Sequence, residues 1–477
     1  MKLHKTLLLK IVEPNKGKRD KLENTINLYA EVLKFYLEVI PKLGMYLIAS
    51  MDKKSALTFL EFHTVLTPAH PDPPYPIFSG VQTCIRRSAI NKAVGMVKSY
   101  LSNLLRWHRE GKELGYLRPS YPNPRNFSLT YYSTDVEFGD VLKSKEYAFV
   151  KLKVLDERGN YEFVNYPVKP YRRFYEKLRE LELDGWKLKK TATLIKRGED
   201  FYVALTLEKK VKKKKPERPK YVINVDLNVQ RNLACIGIFE VDWERKESRL
   251  YGIKFVNGEL MRLVYKRDHL LEEIRKKQAL TGRKPEKGDN RKLWEKISNL
   301  NRDIALKVAK EINEVALDFV GKGEVVVVFE KLKGLRGKKG RGRKLNRKLN
   351  YWMRRSIHER VEYLSLENGY AIDFVYPHHT SKRCSVCGAE GERFSPRGSK
   401  ALFGCSRCGY TVNADVNAVF NQHFLYLSHL LNGGGETRSV VRAGASLKGL
   451  QRRRRNLSGV PKATATYYYI SPLLSMF

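Results

Sequence analysis

The sequence predicts a multidomain chain of the α+β and α/β classes: an N-terminal β-barrel carrying a helical insert, then a C-terminal α/β domain interrupted by a zinc ribbon. Three observations carry this expectation. From about 127 to 208, apolar residues alternate at a period of two in short runs broken by turn signals, the pattern of a small barrel or sandwich. From Tyr221 onward, apolar runs alternate with long amphipathic stretches, as in α/β units. Two Cys-x2-Cys pairs, Cys384/Cys387 and Cys405/Cys408, are separated by 17 residues, a spacing that suits a tetrahedral four-thiolate zinc site.

The elements follow in order. Residues 2–12 read as a first strand. Residues 20–40 and 82–107 read as helices, with Ile26, Tyr29, Val32, Leu33 and Tyr36 on one face of the first and Ile85, Ile90, Val94, Val97 and Leu101 on the second. The proline-rich stretch Pro68 to Pro76 between them cannot be regular structure. Strands are expected at 127–132, 147–154, 161–168, 187–195 and 202–207. Lys209 to Lys220, rich in lysine with two prolines, is a linker. Strands then begin at Tyr221 and Leu233, and helices fill 257–280 and 289–318, the second carrying a core stripe of Leu293, Ile297, Leu300, Ile304, Val308, Ile312 and Val315. The run Glu324–Phe329 (EVVVVF) reads as a central strand buried on both faces. A basic, glycine-rich loop leads into a helix at 345–367. A short strand ends at Val375, and a last helix covers 416–430. Beyond 432 the chain turns Gly/Arg/Ser-rich, with Arg452–Arg455 in a row, and reads as a largely disordered basic tail.

Length and charge narrow the function. The 477 residues suit roughly two to four domains. The 91 Lys+Arg minus 51 Asp+Glu leave +40, which argues against a binder of cations or basic partners and favours a polyanion, nucleic acid above all. A hydrophobic content of 42% rules out a disordered polycation. The leucine run near Met1 is too short for a signal peptide, and no window approaches the ~18 apolar residues of a spanning helix. These features predict a cytoplasmic chain with no membrane partner. In that compartment the paired cysteines read as metal or redox chemistry rather than a structural disulfide. Low Met and high Lys and Glu suit a thermophile.

Three acids stand where acids are least expected. Asp226 lies within the apolar run VINVDLNV, Glu330 closes VVVVFE, and Asp415 lies seven residues past the last cysteine in NADVNA. A carboxylate at the end of a buried strand costs desolvation energy unless it is paired or holds a metal. Taken singly, each has an ordinary structural account, and Asp415 before a helix suits an N-cap. Taken together they make a hard, oxygen-rich site for Mg²⁺, where two ions roughly 3.5–4 Å apart would activate water and stabilise a leaving oxygen at a phosphodiester.

The four thiolates close their zinc site, so the zinc is expected to be structural, with Gly388 and Gly409 in the turns that follow each pair. Arg383, Arg393, Arg397, Lys400 and Arg407 cover the ribbon with charge that suits either a nucleic-acid contact or plain solvation. The same two readings apply to the loop Gly334–Lys348. Tyr351 and Trp352 suit core packing or base stacking. His378 and His379 are not needed as ligands, and Cys84 and Cys235 read as buried thiols.

Four segments carry a family resemblance: VINVDLNVQRNLACIG at 222–237, VVVVFEKLKG at 325–334, TSKRCSVCG at 380–388 and FGCSRCGYTVNADVNAVFN at 403–421. Over about 220–424 the chain resembles the TnpB (OrfB) proteins of bacterial and archaeal insertion sequences and the related miniature type V CRISPR nucleases. The first 208 residues agree in layout only. The resemblance implies an RNase H-like RuvC nuclease domain, with Asp226, Glu330 and Asp415 as catalytic, magnesium-binding acids and Cys384, Cys387, Cys405 and Cys408 as zinc ligands. It implies a wedge-like barrel at 1–20 and 110–210, a helical recognition insert at 21–109, a linker at 211–220, the nuclease domain at 221–379 and 409–431, the zinc ribbon at 380–408 and the tail at 432–477.

The implied function is that of a transposon's RNA-guided DNA endonuclease. Its partners would be a guide RNA encoded near its own gene and a double-stranded DNA target, with one or two protein chains on each RNA, in the cytoplasm at the nucleoid. Protein would read a short flanking motif and base pairing the rest. Thr380 and Ser381 would touch the substrate backbone. The chain departs from the family at Asn228, where glycine is usual, and at Lys331 and Asn413, where aspartate is frequent; none of these removes a metal ligand. A second reading is a catalytically weak or inactive zinc-containing RNA- and DNA-binding protein acting in transposition or its regulation. A strand-joining transposase would instead show Asp, Asp and Glu in that order, with no ribbon before the last acid.

Overall fold

Strand alternation in the N-terminal residues resolves into one seven-stranded sheet, in a computed structural model that describes residues 1–12, 14–112, 117–124, 127–138, 148–215, 217–228, 232–283, 286, 288–331, 353–376, 380–394, 401–431 and 468–470. The chain divides into two units, Lys2–Lys210 and Val211–Phe477.

In the first unit, β1 (Lys2–Ile11) alternates Leu3, Leu7, Leu9 and Ile11 into the core. It lies between β7 (Asp200–Lys210) and β5 (Tyr161–Lys169), antiparallel to both. With β2 (Ser128–Tyr131), β3 (Val136–Glu137), β4 (Ala148–Leu155) and β6 (Lys187–Arg197), the order is β2-β6-β7-β1-β5-β4-β3. The far edge strand β3 returns beside β6, so the sheet nearly closes into a barrel. Between β1 and β2 run α1 (Lys16–Leu43), α2 (Met45–Ser50), α3 (Lys53–Thr64) and α4 (Thr83–Arg106). Asn15 caps α1 by accepting from the Lys18 N–H, and Gly44 ends it in the left-handed region at φ 97°. The buried stripes of α1 and α4 pack on each other, Ile26, Tyr29, Leu33 and Tyr36 from one and Ile85, Ile90 and Val97 from the other. Helix α5 (Phe174–Leu183) joins β5 to β6. Helices α2, α3 and α5 and strand β3 were not expected from the sequence.

The second unit starts with an antiparallel meander, β8 (Tyr221–Leu227), β9 (Ala234–Asp242) and β10 (Glu247–Val256). After α6 (Glu259–Thr281) and α7 (Arg291–Val320), β11 (Val325–Glu330) returns parallel to β8, and after α8 (Arg354–Asn368), β12 (Ala371–Val375) lies parallel to β11. The sheet order is β12-β11-β8-β9-β10-β16, where β16 (Tyr468–Ile470) pairs antiparallel with β10. The basic tail expected at 432–477 thus contributes a strand at 468–470; its other residues lie outside the described ones.

This sheet is the middle of three layers. Ile223, Val225, Val327 and Phe329 face α7 and α8 through Ile304, Val308, Ile312, Ile357 and Val361. The alternate residues Val222, Val326 and Val328 face α9 (Ala414–Leu431) through Tyr426 and Leu427. Every residue of VVVVF is buried, and each such side chain contributes roughly 1.5–3 kcal/mol by leaving water. The stripe on α7 buries Ile297, Ile304, Val308, Ile312 and Val315 as its periodicity predicts, with Leu293 and Leu300 half-buried. Among the described residues no helix is long and apolar enough to cross a membrane.

Candidate active site and cysteine cluster

Alternation decides where the acids go. On β8, Val222 packs toward α9 and Asn224 bonds to a residue of that helix, so Asp226 falls on the same face. On β11, Val326 and Val328 face α9, and Glu330 follows in that phase. The parallel register pairs Phe329 with Val225, which sets Glu330 and Asp226 side by side at the strand ends. Asp415 enters from α9 itself, in its first turn. The Asp415 N–H donates to Asn413 Oδ1 at 2.9 Å, so Asn413 takes the capping role and the Asp415 carboxylate is not spent on it. All three acids are half-buried.

The electrostatics record their proximity. Burial, then the charges of Glu330 and Asp415, push the Asp226 carboxyl up to about 8, against the opposing pull of Arg393. Burial also raises Glu330, while its bond from Thr380 and the Arg393 charge work the other way. Lys331, the basic residue beside Glu330, turns to Tyr376: its Nζ lies 3.1 Å from the phenol oxygen and 4.7 Å from the ring centroid.

Helix α9 holds the surrounding chain. Gln422 Nε2 donates to Val225 O at 3.3 Å and Val328 O at 3.2 Å, tying together the strands that carry the first two acids. Asn417 Nδ2 donates to Arg383 O at 2.7 Å, and its Oδ1 accepts from the Ser385 N–H at 3.0 Å. Asn421 Nδ2 donates to Thr380 O and Arg383 O, both at 2.8 Å. Thr380 in turn donates its hydroxyl to Glu330 Oε1 at 2.6 Å.

From that base rises a three-stranded antiparallel ribbon, β13 (Glu392–Phe394), β14 (Leu402–Gly404) and β15 (Thr411–Asn413). Gly388 and Gly409 turn the chain after each cysteine pair at φ 71° and 70°, and their N–H groups donate to Cys384 O and Cys405 O at 2.9 Å. The sulfurs of Cys384, Cys387, Cys405 and Cys408 all lie within 4.8 Å of one another, a set that could hold zinc. The Val386 N–H points at Cys384 Sγ at 3.4 Å, the kind of donor that steadies a thiolate. Burial opposes ionisation of Cys405, but backbone N–H groups and the neighbouring thiols bring it down to about 7. Among the described residues, these four cysteines are the group of three or more Cys, His, Asp or Glu side chains gathered closely enough to hold one ion.

A family model described as Cas12f1-like, TNB domain matches residues 355–422, and an Aq_aa04 family model matches residues 5–156. The TnpB-like protein aq_aa05 of Aquifex aeolicus (strain VF5) is 70% identical over 310 residues, 65% of this chain and 100% of that protein. The chain belongs to the TnpB-like family. The putative RNA-guided DNA endonuclease InsQ of Escherichia coli (strain K12) is 29% identical over 161 residues, 32% of this chain and 37% of that protein. A cryo-EM structure of CasPhi-2 (Cas12j) bound to crRNA aligns over 89% of this chain and 98% of its own, with 12% identity and a TM-score of 0.49.

Within this TnpB-like chain, sequence reasoning missed the inward role of Thr380, which is 5% exposed and turned to Glu330, while its neighbour Ser381 is exposed. It also missed Gln422, Asn417 and Asn421. Their spacing of four and five residues from 417 to 422, amid the apolar run of that helix, was the available signal. The loop Gly334–Lys348, Tyr351, Trp352, His378, His379, Arg397 and Lys400 lie outside the described residues.

Proposed function

We propose that this chain is an RNA-guided DNA endonuclease of a transposon, hydrolysing phosphodiester bonds at a RuvC-like carboxylate site made of Asp226, Glu330 and Asp415. The observation that carries the reading is the Asp226 carboxyl, pushed to about 8 by burial and by two further acids brought beside it from β11 and α9. A fold does not gather three acids on a half-buried face without a cationic complement. Among the described residues, the charge of Arg393 lowers both Asp226 and Glu330. The meander β8-β9-β10 followed by parallel β11 and β12 suits an RNase H-like domain. The TnpB-like relative and the InsQ similarity support the RNA-guided reading.

The donor set fits divalent magnesium, because carboxylate oxygens are its preferred ligands. Three carboxylates brought from two strands and a helix would offer enough oxygens for a pair. Asp226, Glu330 and Asp415 would hold the ions, which supply charge for the phosphate oxygens and a lowered pKa for water. The chain's own residues do the rest. Without a cation, Asp226 retains a proton near neutrality, and Glu330 is oriented by Thr380. Arg393, exposed on the ribbon beside the acids, is placed to meet a substrate phosphate. The four cysteines fit structural zinc, which would hold the ribbon base and therefore Arg393 and Thr380. Guide RNA and duplex DNA are the partners that a net charge of +40 suits.

The test is cleavage of a target duplex by protein purified with its own RNA, wild type against Asp226→Ala. Loss of cutting with RNA binding retained is expected. Equal cutting by both would remove the site.

A further inference from the structure

Glu330 is a long, rotatable side chain at a strand end, and something must choose its rotamer before an ion does. The hydroxyl of Thr380 lies 2.6 Å from Glu330 Oε1, a short hydroxyl–carboxylate bond. Thr380 is itself held: it is 5% exposed, and its carbonyl accepts from Asn421 Nδ2 at 2.8 Å. Asn421 sits on α9, the helix whose first turn bears Asp415. A continuous line of bonded groups therefore runs from the helix of the third acid, through Asn421 and Thr380, to the second acid.

We propose that Thr380 is a positioning residue for Glu330. It ties Oε1 to the protein and leaves Oε2 as the donor atom toward the site shared with Asp226. The inference rests on the carboxylate site proposed above and adds to it a residue that orients one ligand without touching substrate. This is the arrangement by which a partner behind a ligating carboxylate tunes affinity. It also gives Thr380 an inward task in place of the substrate contact that family resemblance implies.

The experiment uses the full chain with its guide RNA, with Mn²⁺ as the probe. Mn²⁺ affinity is read by electron paramagnetic resonance, and single-turnover cleavage is read at saturating RNA. Thr380→Val keeps the shape and removes the hydroxyl. It is expected to weaken Mn²⁺ binding and slow cleavage, each by about 10- to 100-fold, while zinc content and target binding stay as in wild type. Thr380→Ser is expected to restore most of both. Wild-type Mn²⁺ affinity in Thr380→Val would overturn the proposal, as would a serine variant as defective as the valine one, which would assign the effect to methyl packing. Should Thr380→Val lose zinc and so betray misfolding, Thr380→Ser against Thr380→Ala decides on the same two readouts. Asp226→Ala runs alongside: wild-type Mn²⁺ binding and cutting there would sink the carboxylate site itself, a result distinct from any failure at Thr380.

Discussion

The imidazole of His423 lies flat on the ring of Phe239, with centroids 3.8 Å apart and planes 8° from parallel. Its Nδ1 is 3.1 Å from Asn224 Nδ2 and its Nε2 is 2.7 Å from Ser248 Oγ. The side chain thus pins α9 to β8, β9 and β10 at once. Burial pushes its pKa from 6.5 down to about 3. Below about 6.5 the unfolded chain takes up a proton that the fold refuses until about 3, so the stability contributed here is full above 6.5 and is lost as pH falls through that window. From pH 7 to pH 4, wild type should lose on the order of 3 kcal/mol more than His423→Gln in the C-terminal unit. Thermal unfolding of both proteins at each pH checks this, and equal pH slopes would contradict it.

Asp226 has the opposite sign. Its folded pKa of about 8 stands above the unfolded 3.8. The fold therefore keeps a proton that the unfolded chain releases, and stability falls as pH rises from about 4 to about 8. In chelator-treated protein at pH 8, Asp226→Asn should be more stable than wild type by on the order of 5 kcal/mol. The same variant should not cut DNA. A destabilised Asp226→Asn in chelator would show that the carboxylates are not held at mutual cost.

Much of this was legible because the acids break a pattern. Asp226 and Glu330 interrupt apolar runs, and the strand phase that buries Val222 and Val328 also decides that both carboxylates face α9. The cysteine ribbon was legible from spacing alone. Strand β10 was not, because its sequence ESRLYGIKFV mixes polar and apolar residues in no clean period and is supported instead by pairing with β9. Helices α2 and α3 were hidden in the same way, since they bury few residues and α3 is marked mainly by its Asp52 cap, which accepts from the Lys54 N–H at 2.8 Å. Thr380 and Gln422 were silent for a different reason. A hydroxyl or amide shows its purpose only when the fold places a distant carboxylate or carbonyl in front of it.

Zinc should govern more than the ribbon. The cysteines are buried or half-buried around Phe403, and beyond them Arg383 and Thr380 are held by Asn417 and Asn421. One zinc per chain is expected by elemental analysis, from four thiolates in a closed site. In Cys405→Ser, amide hydrogens over 380–413 should exchange faster, and cleavage should fall because Thr380 no longer steadies Glu330. Exchange in the barrel strands β1 and β7 should be unchanged. A zinc-free ribbon with wild-type protection would contradict the ligand assignment.

Gly237 on β9 leaves room for Val419 of α9. A Cβ added there would stand 2.2 Å from Val419 Cγ1 and 3.0 Å from Phe239 Cε2, so a neighbour must move. Gly237→Ala is expected to displace Val419 and the turn of α9 that bears it, and overpacking of this kind costs about 1–3 kcal/mol. The helix that moves carries Asp415, Gln422 and His423, so cleavage should fall along with stability. Val419→Ala removes the offending methyl groups. The double variant should then be less destabilised than the sum of the two single changes, since they share one contact. Denaturant midpoints of the four proteins measure the coupling. Strictly additive losses would place the strain somewhere other than between β9 and α9.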